Sequence, residues 1–242
     1  MKLGVSVRLD DPAVVEIAGW LGYDFVWLDE ENASYKRRAE MVRAAELAGV
    51  EPWFRVPAND PQVIASYLEL GVRAVMIPHV DDAAQARRAA DAARFGPAGR
   101  RNWFAAGRAA RYGLVPTVEL PAARNASTRL IVQIETPEAV RAVDQILAVP
   151  GVDMVCTGPG DLAQCLGLTG QVRHPAVLAA EETVFAAAER AKKGVLYFAS
   201  SAAELQALRT RWNVEYVMTG TDTGLVLGAM RERLAEMRGA SG

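Results

Sequence analysis

The chain has 242 residues, 51% of them hydrophobic, enough to bury a sizeable core and compatible with one α/β barrel or with two smaller domains. Its 27 Lys and Arg against 29 Asp and Glu give a formal charge of −2, so no general basic field is present to attract nucleic acid or an acidic membrane. No apolar run approaches the ~20 residues of a membrane span, and the opening MKLGVSVRLDDP brings acids and a proline too early for a signal peptide, so a soluble, cytoplasmic protein is expected.

The first apolar run, LGVSVRL (3–9), reads as a strand, and DDPAVVEIAGWLG after it places Asp before Pro and closes on Gly, as a helix does. The second, FVWLDE (25–30), runs into three consecutive acids, Asp29, Glu30 and Glu31, followed by Asn32. Strand alternation puts Phe25, Trp27, Asp29 and Glu31 on one face and Val26, Leu28 and Glu30 on the other. The third strand, PWFRVP (52–57), is followed by NDPQVIASYLELG, again Asp-Pro at the start and Gly at the end. After the fourth, AVMIPHV (74–80), comes a helix and then the long segment FGPAGRRNWFAAGRAARYGLVPTVELPAARNAST. Long connections in compact domains are usually functional, and this one is expected to arch over the barrel mouth. RLIVQIE (129–135), DMVCTG (153–158), VLYFAS (195–200) and VEYVMTG (214–220) complete eight strands, with TPEAVRAVDQIL a capped helix after the fifth. The C-terminal TGLVLGAMRERLAEMRGAS repeats Leu225, Leu227, Met230, Leu234 and Met237 at helical spacing and should pack on the barrel or on a neighbouring subunit.

Strands alternating with helices require a parallel sheet. Eight repeats fit a closed (β/α)8 TIM barrel, one α/β domain over 1–242 with a long β4–β5 connection and a C-terminal helix. An open Rossmann-like sheet fits less well, because no G-x-G-x-x-G follows the first strand.

Barrel enzymes carry their chemistry at the carboxyl ends of the strands. Those ends hold Asp29 and Glu31, Arg55, Pro78 and His79, Gln133 and Glu135, the TGPGD turn with Asp161, and TGTD with Asp222. Several acids converging with an arginine suit a divalent cation bound together with an anionic ligand. Asp222 and Glu30 are read instead as helix-cap or solvated loop residues. Glu135 and Asp161 supply two carboxylates, a number that suits Mg2+ or Mn2+ with water and substrate oxygens completing the shell. A 2-oxo acid offers such oxygens from its carboxylate and ketone, the amides of Gly160 and Asp161 can hold its carboxylate, and Arg55 can stabilise an enolate oxygen. Gln133 is counted with these substrate-facing residues. Cys156 and Cys165 lack C-x-x-C spacing and are read as core thiols, with no support for zinc or a disulfide. His174 precedes a proline in a surface turn, and His79 is expected to hydrogen-bond its neighbouring loop.

The block VQIETPEAVRAVDQILAVPGVDMVCTGPGDLAQCLG (132–167) resembles the most characteristic stretch of the HpcH/HpaI aldolase family. These are class II pyruvate-type aldolases that include 4-hydroxy-2-oxoheptanedioate aldolase and 2-dehydro-3-deoxyglucarate aldolase. The similarity extends more weakly from about residue 10 to about residue 227, through LGYDFVWLDEEN, FRVPANDP, GVRAVMIPHVDDAAQARRAADAARFGPAGRR and RAARYG. It implies a (β/α)8 barrel, commonly a hexamer or trimer of dimers with an exchanged C-terminal helix, and a divalent metal (Mg2+, Mn2+ or Co2+) holding pyruvate as its enolate. By position, the family's metal ligands fall on Glu135 and Asp161, its enolate-stabilising arginine on Arg55, and its carboxylate-binding amides on Gly160 and Asp161.

Two departures stand out. The family's second strand usually ends Asp-x-Glu-His, with the aspartate orienting the histidine; Asp29 and Glu31 match, so Asp29 is expected to orient position 32, but Asn32 stands in the histidine's place. An amide cannot shuttle a proton near neutral pH, a loss of roughly 10² to 10⁴ in rate if nothing replaces it. At GRRNWF (99–104) a glycine-rich G-x-R-G-x-G is replaced by Asn102, Trp103 and Phe104, so altered substrate access is expected. The leading expectation is a metal-dependent carbon–carbon lyase acting on a 2-oxo acid, with an aldehyde partner and with Asn32 orienting water or a substrate hydroxyl. The alternatives are an oxaloacetate-type decarboxylase or specialised carbon–carbon bond-forming enzyme on the same site, and a non-catalytic 2-oxo-acid-binding protein.

Overall fold

The computed structural model describes residues 1–199, 201–212 and 214–239. Its strands are β1 Lys2–Val7, β2 Phe25–Asp29, β3 Glu51–Arg55, β4 Ala74–Ile77, β5 Arg129–Ile134, β6 Met154–Thr157, β7 Gly194–Phe198 and β8 Tyr216–Thr221. They form a closed parallel barrel in sequence order, sealed by pairing of β1 with β8. All eight expected strands are present, with ends shifted by a few residues. Of the expected segments, Ser200 and the C-terminal 240–242 lie outside the described residues. The helices are α1 Pro12–Trp20, α2 Arg38–Ala48, α3 Pro61–Glu69, α4 Ala83–Ala93, α5 Leu120–Ser127, α6 Pro137–Leu147, α7 Pro159–Cys165, α8 Pro175–Ala191, α9 Ala202–Arg211 and α10 Asp222–Gly239. No helix among the described residues is long and apolar enough to cross a membrane.

The expected caps form: Asp11 accepts from the Ala13 amide, Asp60 from Gln62 and Val63, and Thr136 from Ala139. Each such cap contributes about 1 kcal/mol. Strand alternation then decides which side chains enter the barrel. Phe25, Trp27, Trp53, Met76, Ile131, Cys156 and Met218 fill the interior, while Val26, Leu28 and Phe54 face the helices. Phe25 stacks on Trp53 with ring centroids 4.2 Å apart. Gly4 makes room for this pair, since a Cβ there would lie 2.4 Å from the Phe25 ring. The aromatic filling is a floor, and the polar ends of β2, β3 and β5 stand on it.

Three expectations are corrected. The long β4–β5 connection does not arch over the mouth. It packs against the segment that enters β4: Arg108 donates to the Leu70 carbonyl at 2.7 Å, Arg124 to the Gly71 carbonyl at 3.5 Å, and Arg101 to Glu69 at 2.7 Å. The reason is that α4 returns the chain to the amino ends of the strands, and the connection stays there. Trp103 and Phe104 therefore lie on this segment and not at the mouth of their own barrel. Second, Cys165 is exposed; only Cys156 is a core thiol, and both are free. Third, Glu30 and Asp222 are structural as expected but buried, not solvated. Glu30 pairs with Arg38, and the Asp222 carboxylate accepts the Arg8 and Leu9 amides at 3.0 and 2.9 Å, tying β1 to β8.

Candidate active site

Asp29 ends β2 and Arg55 ends β3, and the two are register partners across the strands. Neighbours on one face of a sheet meet side chain to side chain. Arg55 accordingly donates through Nε to Asp29 Oδ1 at 2.8 Å and through Nη2 to Oδ2 at 2.6 Å, a forked pair buried in the mouth. Its Nη1 donates to Gln133 Oε1 at 3.2 Å and also contacts the Glu31 carboxylate. The guanidinium lies over the Trp27 ring, 4.8 Å from its centroid, so the aromatic floor supports it as well. Burial opposes the Arg55 charge, but the hydrogen bonds to Asp29 and the nearby carboxylates outweigh it and raise its pKa. With four contacts to described residues, one of the five guanidinium N–H groups is left for a ligand oxygen.

Glu135, just past β5, is almost fully buried. Its Oε2 accepts from Gln133 Nε2 at 2.5 Å and its Oε1 from the His79 backbone amide at 2.7 Å. Burial pushes its pKa up to about 7, with the charges of Glu31 and Asp161 adding to the rise and the His79 amide and ring opposing it. A surplus of negative charge therefore converges on this carboxylate. Gly158, on the turn after β6, closes over it: a Cβ there would lie 2.5 Å from Glu135 Oε2 and 3.0 Å from Gln133 Nε2.

His79 does more than hydrogen-bond its own loop. Its ring stands between two acids, Nε2 at 2.9 Å from Glu31 Oε1 and Nδ1 at 3.0 Å from Glu135 Oε1. The residue takes a left-handed φ of 51°, which turns the ring back toward the mouth. Ligand atoms of Glu31, His79 and Glu135 all lie within 4.8 Å of one another, and this mixed oxygen and nitrogen set fits a divalent cation.

The structure thus brings together Asp29, Glu31, Arg55, Gln133 and Glu135. Asp161 lies exposed in the first turn of α7, close enough to act on Glu135 electrostatically, and Gly160 precedes it. Asn32 is exposed on the loop after β2, one residue beyond Glu31. Asp29, expected to orient a residue at position 32, spends both oxygens on Arg55. Sequence reasoning missed Gly158, the bridging geometry of His79, Arg8 with Nη2 at 3.5 Å from Asp29, and Tyr35, whose hydroxyl accepts the Asp29 amide at 3.1 Å. For Gly158 the TGPGD turn was a signal; for Arg8 and Tyr35 the sequence carries none.

A parallel eight-stranded barrel with buried carboxylates and a guanidinium at the carboxyl ends of its strands defines a (β/α)8 barrel protein built for polar small-molecule chemistry. The profile of the HpcH/HpaI aldolase/citrate lyase family matches residues 2–229, and the chain belongs to that family. It is 37% identical over 179 residues to a 2-dehydro-3,6-dideoxy-6-sulfogluconate aldolase of Pseudomonas putida, covering 73% of this chain and 69% of the relative. It is 34% identical over 241 residues to a 5-keto-4-deoxy-D-glucarate aldolase of Escherichia fergusonii, covering 98% of this chain and 91% of the relative. Among solved structures, an HpcH/HpaI aldolase/citrate lyase family protein from Burkholderia cenocepacia superposes with a TM-score of 0.91 at 32% identity, covering 98% of this chain and 94% of the other.

Proposed function

We propose that this chain, a single barrel domain, is a divalent-metal-dependent aldolase that cleaves a 4-hydroxy-2-oxo acid into a smaller 2-oxo acid and an aldehyde. The observation that carries the reading is Arg55, buried and clamped by Asp29, Glu31 and Gln133 beside the electron-rich carboxylate of Glu135. In the cleavage, the C4 hydroxyl gives up its proton to a neighbouring water, C4–O becomes the aldehyde carbonyl as the C3–C4 bond breaks, and the electron pair of that bond moves through C3 and C2 onto the ketone oxygen. Protonation at C3 then releases the 2-oxo acid. Arg55 faces the oxygen where negative charge develops, and donors fixed in advance in a water-poor site are worth more than mobile ones in solution. Glu135 and Asp161 would hold the divalent ion, which would supply further positive charge to stabilise the enolate. The amides of Gly160 and Asp161, in the first turn of α7, hold the substrate carboxylate. Asp29 and Gln133 keep Arg55 aimed, Glu31 places negative charge beside it, and Asn32 at the rim orients water or the substrate hydroxyl. The curated relatives are named for aldolase action on deoxy sugar acids, which supports a polyhydroxylated 2-oxo acid as the substrate class.

The test is a panel of 4-hydroxy-2-oxo acids assayed with Mg2+, Mn2+ and Co2+, following pyruvate release and, in parallel, oxaloacetate loss. Metal-dependent pyruvate release, absent in Glu135→Ala and Asp161→Ala, is the expected result. Oxaloacetate loss without aldol cleavage would replace this reading with a decarboxylase, and tight binding without turnover would replace it with a binding protein.

A further inference from the structure

We propose that His79 is a further protein ligand of the divalent ion, through ring Nδ1, with Glu31 holding the other ring nitrogen. The inference deepens the reading above and rests on Glu135 being the ion's anchor. Three observations carry it. Nδ1 lies 3.0 Å from Glu135 Oε1; two donors on adjacent positions of an octahedral ion with bonds of about 2.1 Å are about 3 Å apart. Nε2 lies 2.9 Å from Glu31 Oε1, and a metal-ligating histidine characteristically donates its other N–H to a carboxylate, which fixes the tautomer and the ring plane. Glu31 is itself held by Arg55, so the chain from guanidinium to carboxylate to imidazole is continuous.

The backbone prepares the ring for this role. A non-glycine residue at φ 51° is uncommon, and here the His79 amide donates to Glu135 Oε1 at 2.7 Å, locking the loop onto the same carboxylate. The side chain is 60% exposed, so the ring borders the water from which an ion arrives. An imidazole in the shell favours Mn2+ and Co2+ over Mg2+, which prefers an all-oxygen set. Histidine 79 thereby becomes a determinant of metal choice, distinct from the missing proton shuttle at position 32.

Pulsed EPR of the Mn2+-loaded protein reads the coordination directly. The expected result is nitrogen coupling from one imidazole, lost in His79→Asn and kept in His174→Asn. Asparagine tolerates the left-handed backbone, so this variant should fold. Calorimetric titration should show Co2+ binding weakened about tenfold or more by His79→Asn and about 10- to 100-fold by Glu31→Gln, with Mg2+ binding changed less than about threefold by the former. Bound Mn2+ without nitrogen coupling, or coupling that survives His79→Asn, overturns the inference. If Glu135→Gln leaves metal affinity intact, the reading of the site itself falls; if it abolishes affinity while no nitrogen is seen, only the role of His79 falls.

Discussion

At the scale of single residues, Gly158 and Glu135 make the sharpest predictions. Gly158 has an ordinary φ of −107°, so its requirement is one of space: a methyl group would meet Glu135 Oε2 at 2.5 Å. Gly158→Ala should displace the carboxylate and weaken metal binding by about tenfold or more, as loss of ligand positioning does. Gly160→Ala, where a Cβ meets nothing within 4 Å, should leave metal binding unchanged; calorimetric titration of both variants makes the comparison. Glu135, with its pKa raised to about 7, makes the fold pH-dependent. The native state holds the proton more tightly than the unfolded chain does, so this contribution is fully present below the ordinary carboxylate pKa and is lost as pH rises through about 7. In chelator, wild type should therefore lose roughly 2 to 3 kcal/mol relative to Glu135→Gln between about pH 5 and about pH 8, read from paired urea melts. A pH-independent difference would mean that the carboxylate is not strained by its burial. Asn32→His places a base at the rim and should speed exchange of pyruvate methyl protons in deuterated water by about tenfold or more, measured by proton NMR.

At the scale of elements, the β4–β5 connection is a support for the barrel floor, remote from the mouth. Arg101 is buried on it and reaches Glu69 near the end of α3 at 2.7 Å. Removing one partner of such a pair strands the other, although Glu69 keeps some contact with water. Arg101→Ala should cost about 1 to 3 kcal/mol in urea unfolding and leave metal affinity where it was. A changed metal affinity with unchanged stability would place this segment in the chemistry after all. The short α7 belongs to the other end of the barrel, because Gly158 and Pro159 turn the chain sharply out of β6.

For the whole molecule, α10 is the unfinished part. Its 18 residues bury only Asp222, and the apolar side chains expected to pack stand in solvent, Met230 at 67% and Leu234 at 51% exposure. At the end of α1, Trp20 and the capping Leu21 are likewise exposed, at 67% and 74%. Full burial of each large apolar side chain is worth ~1.5 to 3 kcal/mol, so two uncovered faces on one chain favour association of copies. Light scattering should give a mass several times the 26.1 kDa of one chain, and the double variant Leu227→Glu, Met230→Glu should lower it without loss of helical circular dichroism. A wild-type mass of one chain would rule the association out.

Strand number, strand alternation and helix caps were legible in the sequence because each is a local rule: a period of two, an Asp before a Pro, a Gly after the last turn. Those rules, with the habit of barrel enzymes to carry their chemistry at the carboxyl ends of the strands, were enough to expect a closed barrel and to put Asp29, Arg55, Gln133 and Glu135 at its mouth. What the tertiary structure decided is pairing across the barrel. His79 and Glu135 are 56 residues apart, and the histidine lies beyond its strand, where alternation no longer states a direction and a left-handed turn chooses one. The same limit explains why Asp29 was read with residue 32 instead of Arg55, and why the long connection was placed at the wrong end. Side-chain partners between strands depend on register, and the side of a barrel that a loop occupies depends on the path of the preceding helix; neither is written in any local stretch of residues.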